Sequence, residues 1–262
     1  MIIIGEKINS TAKSVYSAIE SRDAIFIQDL ARRQVVAGVD YIDVNAGMFY
    51  GFEDEPERLA WLVRVVQAAV GAPLCIDTPN PSAMEAALIA CNGMTQPILN
   101  SITAEKPRME SMLPLALHYR AKIIALCIDD NGVPETSSGR CAVAMRLIDQ
   151  LAGAGIREND IFIDPLVMPI AIAPSNGTIV FDAIRHIRME HPGVHIVCGI
   201  SNSSFGLPRR NLINQAYMIC AMAAGLDCAI IDTLDKYLLE IIAAAEAVLG
   251  INGQYQMINQ SD

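Results

Sequence analysis

The chain has 262 residues, 52% hydrophobic and 18% charged, with a formal net charge of −10. That length suits one domain with a large core of its own, and so apolar a composition excludes a disordered chain. The negative balance repels phosphate backbones and anionic lipid, which argues against nucleic acid and membrane surfaces as partners.

The opening run Met1-Ile2-Ile3-Ile4-Gly5-Glu6 lacks the positive flank and the length of a signal peptide. No later stretch of about 20 apolar residues reads as a transmembrane helix. The expected location is therefore the cytoplasm. Eight short apolar runs read as strands: Ile2–Ile8, Asp40–Asn45, Pro73–Asp77, Pro97–Ser101, Lys122–Ile128, Asp160–Asp164, His195–Ser201 and Asp227–Asp232.

Helical periodicity fills the gaps. From Glu57 to Val70 the polar Glu57, Arg58, Arg64 and Gln67 lie near one side, and Leu59, Leu62, Val63 and Val66 fill the other. Asn80-Pro81 gives the next helix a cap followed by proline at its first position. The last helix spans about Asp235 to Leu249 and stops at Gly250.

Alternating strands and helices imply parallel strands with crossover helices. At this length they predict an α/β fold of one (β/α)8 TIM barrel over residues 1–250, with a polar tail from Ile251 to Asp262, loose or packed at a subunit edge. The first strand–helix turn has no G-x-G-x-x-G, which weighs against a dinucleotide-binding sheet. Seven cysteines without a C-x-x-C pair read as buried thiols in a reducing compartment, with no disulfide framework and no metal or iron–sulfur site.

Barrels of this kind carry their sites at the C-terminal ends of the strands. Those ends read Glu6 and Asn9, Asp43 and Asn45, Asp77, Asn100, Asp164, then Gly199, Ser201 and Asn202, and finally Asp232. Lysine and arginine are almost missing from this set, and the turn Ser201-Asn202-Ser203-Ser204 lacks the glycines of a phosphate loop. The mouth is built to accept hydrogen bonds, so its ligand is rich in N–H donors. A reduced pterin fits; so would a guanidine, a purine or a polyol. Single aspartates at strand ends also serve as turns and helix caps, a role open to Asp129 and Asp232, and Asp43 and Asn45 can tie loops. The four histidines, His118, His186, His191 and His195, fall away from the mouth and read as structural or surface residues.

At Ile76-Asp77-Thr78, Leu99-Asn100-Ser101, Ile163-Asp164-Pro165 and Gly199-Ile200-Ser201-Asn202 the sequence resembles the pterin-binding superfamily, from Ile4-Gly5-Glu6-Lys7-Ile8-Asn9 to Glu240. It resembles most the stand-alone methyltetrahydrofolate:corrinoid protein methyltransferases. The resemblance implies a methyltransferase acting between N5 of tetrahydrofolate and the cobalt of a cobalamin-type corrinoid on a separate protein. It implies that Asp77, Asn100 and Asp164 hold the pterin edge, that Gly199 and Ser201 line the same wall, and that Asn202 approaches N5 as the catalytic residue. Glu6, Asp43, Asn45 and Arg210 are further members, with Arg210 matching an arginine of the same loop. Such enzymes are homodimers, and the loop Phe205 to Arg210 is expected to help dock the corrinoid protein. Two other readings remain: a dihydropteroate synthase-like enzyme, against which the missing Ser-Arg-Lys near the seventh strand argues, and a non-catalytic folate-binding module.

Overall fold

The computed structural model describes residues 1–47 and 53–251, and eight strands alternate with helices among them. The order is β1 (Ile2–Asn9), α1 (Lys13–Glu20), α2 (Ala24–Val36), β2 (Tyr41–Asn45), α3 (Glu55–Gln67), β3 (Leu74–Asp77), α4 (Pro81–Ala90), β4 (Ile98–Thr103), α5 (Lys106–Tyr119), β5 (Lys122–Leu126), α6 (Ser137–Gly153), β6 (Ile161–Asp164), α7 (Asn176–Glu190), β7 (His195–Gly199), α8 (Arg210–Ala224), β8 (Cys228–Ile231) and α9 (Lys236–Val248). Every strand pairs in parallel with its sequence neighbour, and β8 pairs with β1, so the sheet is the closed barrel the alternation predicts. From residue 252 on, the expected tail lies outside the described residues.

The two-residue period of the strands sorts their side chains. Ile4, Tyr41, Cys75, Ile98, Ile124, Phe162, Val197 and Cys228, one from each strand, form a single apolar cluster that plugs the barrel. The alternate residues Ile3, Ile42, Ile76, Leu99, Ile123, Ile163, Ile196 and Ala229 belong to the separate cluster shared with the helices. Burying each large aliphatic side chain contributes about 1.5–3 kcal/mol, so the two layers fix the register against a one-residue slip. The helix signals hold as well: Leu59, Leu62, Val63 and Val66 of α3 are buried, and Asn80 caps α4 by accepting from Ser82 N and Ala83 N. His195, at the start of β7, bonds Asp227 Oδ2 at 2.8 Å and stacks on Phe162, the structural role expected of it.

Several boundaries differ from the sequence expectation. β7 stops at Gly199 rather than Ser201, because Ile200–Asn202 tighten into a 3-10 turn closed by Ser203 N on Ile200 O at 3.1 Å. β5 ends at Leu126, where Ile128 N turns back onto Leu126 O at 2.7 Å. β4 continues to Thr103 through a register shift between Asn100 and Ile102. The stretch between the first two strands holds two helices, broken near Arg22.

Candidate active site at the barrel mouth

Counting two residues up from the apolar plug gives the positions that face into the barrel nearer its C-terminal rim; on β5 and β8 these are the apolar Leu126 and Ile230, packed on the plug, and on the other six strands they are polar residues or glycine. Ile4 leads to Glu6, Tyr41 to Asp43 and then Asn45, Cys75 to Asp77, Ile98 to Asn100, Phe162 to Asp164, and Val197 to Gly199. The apolar floor and the polar ring above it are therefore one pattern, read at two heights of the same strands.

Asn45 Nδ2 donates to Asp77 Oδ2 at 3.0 Å, and Asn45 Oδ1 accepts from Ser10 Oγ at 3.0 Å and from Gly47 N at 3.1 Å. Asp77 and Asn100 are direct register partners. Asp43 is only 2% exposed, and its Oδ1 has no hydrogen-bond partner among the described residues. Burial, then the neighbouring charge of Asp77, pushes its carboxyl well above the usual range. Burial also pushes Asp77 up, to about 6, against the pull of Asn45. The two carboxyls are pushed in the same direction, so burying them together disfavours ionising both at once.

Burial pushes Asp164 up to about 7, opposed by the Leu166 N–H that donates to Oδ1 at 2.7 Å. On the facing wall Ser201 Oγ donates to Glu6 Oε1 at 2.5 Å, and burial raises Glu6. Asn202 is exposed at the rim. A Cβ built at Gly199 would lie 3.2 Å from Asn202 Nδ2, so a bare backbone at 199 gives the carboxamide its room. Arg210 spans the turn, donating to Ser201 O at 2.7 Å and to Ser204 Oγ at 3.0 Å; it braces the loop that carries Asn202.

One expectation is corrected. The mouth is not nearly free of cations, for Lys7 Nζ reaches Asp232 Oδ2 at 2.8 Å. Strict alternation puts Lys7 on the outer face once Glu6 points in, but β1 carries an irregularity between Gly5 and Ile8 that brings both residues to the rim. Asp232 also accepts from Leu234 N at 3.0 Å and Asp129 from Asn131 N at 2.9 Å, the turn roles foreseen for them. A second residue hidden from sequence reading is Arg140, buried at the start of α6 beneath the Asp164 turn. Nothing in its local sequence marks it.

A cavity of about 950 Å³ opens at the opposite end of the barrel, between Leu88, Met94, Leu117 and Ile156. Two of its polar groups are already engaged: Gln96 Nε2 donates to Arg120 O, and Arg157 Nε to Asp160 Oδ2. The ring at the mouth, with the unpartnered Asp43 Oδ1 and three raised carboxyls beside it, is the arrangement suited to a flat ligand bearing several N–H donors.

Comparison with known proteins points the same way. The pterin binding enzyme family matches residues 5–232. The chain is 37% identical over 253 residues to the methylcorrinoid:tetrahydrofolate methyltransferase of Eubacterium limosum, covering 95% of this chain and 92% of that protein. It is 28% identical over 244 residues to the methionine synthase of Mycobacterium tuberculosis, covering 88% of this chain but only 20% of that longer protein. Among solved structures, the dihydropteroate synthase of Xanthomonas albilineans in complex with 7,8-dihydropteroate superposes with a TM-score of 0.68 at 19% identity, covering 95% of this chain and 93% of that one. At that identity the last likeness shows the fold.

Proposed function

This chain belongs to the pterin binding enzyme family, and from that premise we propose that it moves a methyl group between a corrinoid carried by a separate protein and N5 of tetrahydrofolate. The direction follows the name of its 37% identical relative, from methylcorrinoid to tetrahydrofolate. The observation that carries the reading is the set Asp77, Asn100 and Asp164, one strand step above an apolar floor and matched to the donor edge of a reduced pterin.

In this reading the ionised Asp77 and Asp164 accept from the ring N–H and amino groups, and Asn100, with both donor and acceptor, meets the carbonyl side. Gly199 and Ser201 line the facing wall together with Glu6, which Ser201 holds. Asn202 stands at N5. The N5 lone pair attacks the methyl carbon, the cobalt–carbon bond breaks with its electron pair left on cobalt, and N5 sheds a proton. The Asn202 carboxamide accepts from N5–H before transfer and donates to N5 after it, so a neutral group serves both charge states. The protein's contribution is orientation and electrostatic support rather than covalent chemistry.

The partner approaches over the rim. Ile172 and Phe205, 73% and 66% exposed, sit on neighbouring loops tied by Ile170 N on Ser203 O at 3.1 Å, and we assign them to its docking surface. The outer face of α8 presents Leu212, Ala216, Ile219, Cys220 and Ala223, a stripe without charge that suits a homodimer contact. With its free thiols and no helix among the described residues long and apolar enough to cross a membrane, the protein fits a cytoplasmic setting.

The test is spectrophotometric. Mixed with methylcob(III)alamin and tetrahydrofolate, the protein should bleach the methylcobalt spectrum only when all three are present. An unchanged spectrum overturns the proposal. Binding of tetrahydrofolate without transfer, in that case, identifies a folate-presenting module, and turnover of a pterin pyrophosphate with p-aminobenzoate identifies a synthase.

A further inference from the structure

The carboxyl of Asp164 is held by a device that reaches back to the start of α6. After β6 the chain turns through Asp164-Pro165-Leu166, and Leu166 has φ 66, a left-handed conformation that a residue with a Cβ avoids. Its N–H, which shares a peptide plane with the Pro165 carbonyl, meets Asp164 Oδ1 at 2.7 Å. One carboxylate oxygen is thus spent on the backbone and the other is left for the mouth.

Arg140 holds that turn. It is 2% exposed, and its Nη1 donates to the carbonyls of Pro165 at 2.8 Å and of Leu166 at 2.5 Å, while Nε donates to the carbonyl of Pro134 at 3.1 Å. The arginine is itself well anchored. Thr136 caps α6 by accepting from Gly139 N, and a Cβ at Gly139 would lie 2.8 Å from Pro134 Cβ, so glycine is what lets Pro134 close against the helix start. Among the described residues Arg140 makes no ion pair; its named hydrogen bonds all go to main-chain carbonyls of two loops. A planar guanidinium can bridge such a set where a single ammonium cannot.

We propose that Arg140 is a positioning residue for Asp164: it pins the Asp164-Pro165-Leu166 turn and, through the Leu166 N–H, decides which carboxylate oxygen faces the substrate. Its charge acts in the same sense, since Leu166 N–H and then Arg140 are the influences that oppose the burial of Asp164. The other titratable groups facing Asp164 are Cys127 beyond β5, Cys198 on β7, Tyr217 on α8 and Cys228 on β8, all pushed up by burial and therefore neutral. Losing Arg140 should raise Asp164 further. The functional part of this proposal rests on the pterin reading; the geometric part does not.

The experiment is a ¹³C NMR titration of the Asp164 carboxyl in the full chain, alongside tetrahydrofolate affinity at pH 7.5, for Arg140→Gln, Leu166→Gly and the double variant. Arg140→Gln should move the Asp164 midpoint upward and weaken tetrahydrofolate binding roughly tenfold, the usual consequence of misplacing a charged acceptor. Leu166→Gly in that background should restore most of both, because glycine takes the left-handed turn without help. An Asp164 midpoint unchanged in folded Arg140→Gln overturns the proposal, as does a double variant no better than the single one. If Arg140→Gln does not fold, Arg140→Lys replaces it: charge is kept but the bridge is lost, so Leu166→Gly must still restore affinity, and failure to do so overturns the role. Wild-type protein that shows the Asp164–Arg140 coupling but binds no tetrahydrofolate supports the positioning role and overturns the pterin reading.

Discussion

Replacing Asp77 by Asn should make the free protein more stable and a poorer ligand binder. Burial lifts the Asp77 carboxyl from 3.8 to about 6, so the folded chain at pH 8 carries an ionised group it disfavours by up to about 3 kcal/mol. Part of that is shared with Asp43 beside it, which leaves about 2–3 kcal/mol for an isosteric neutral amide to recover. For a domain near this size the gain amounts to roughly 4–10 °C in Tm. The penalty is absent below about pH 4, where the carboxyl is protonated folded or unfolded, and complete above about pH 7. The Tm gain should therefore hold from pH 8 to about 7 and shrink as the pH is lowered further. Tetrahydrofolate pulls the other way: a charge-assisted hydrogen bond becomes a neutral one, and the difference of about 1–2 kcal/mol weakens Kd roughly 5- to 30-fold. Scanning calorimetry from pH 5 to 8 and equilibrium titration with tetrahydrofolate read the two effects separately. A lower Tm at pH 8, or an unaltered Kd, would refute the reasoning.

Further outcomes follow from the same geometry. Asn202→Ala should slow methyl transfer about 10²- to 10³-fold while changing tetrahydrofolate Kd little, as single-turnover kinetics will show; equal losses would make Asn202 a binding residue only. Because burial lifts Asp164 to about 7 and Asp77 to about 6 and their ionised forms accept the ligand's N–H groups, affinity should fall with a slope approaching tenfold per pH step between 7 and 6 and more steeply below 6. Asp164→Asn should bind weakly throughout and, in a calorimetric pH series, lose the fall between pH 7 and 6 while keeping the one set by Asp77. Ile172→Glu with Phe205→Glu should slow turnover with the corrinoid protein at least tenfold, as expected for loss of central apolar contacts, yet leave the rate with free methylcob(III)alamin intact. Equal slowing with both substrates would remove these residues from the docking surface.

The sequence by itself determined the barrel and most of its polar ring. Strand periodicity is local and two residues long, so the same runs that put Ile4, Cys75, Ile98 and Phe162 into the plug also put Glu6, Asp77, Asn100 and Asp164 one step above it. Cap signals such as Asn80-Pro81 are equally local and came through intact. The shortened β5 and β7 end in local turns, but the departures at the site involve partners distant along the chain. Lys7 reaches the mouth only because β1 breaks its alternation against β2, and the Asp43 carboxyl is pushed up only because folding buries it beside Asp77. Arg140 meets the Asp164 turn across 25 and 26 residues of sequence, through carbonyls that any residue type could supply. Side-chain identity announces which face of a strand is polar; it carries no record of a bulge, of a neighbouring buried charge or of a backbone carbonyl brought near from another loop, and those were left for the closed barrel to decide.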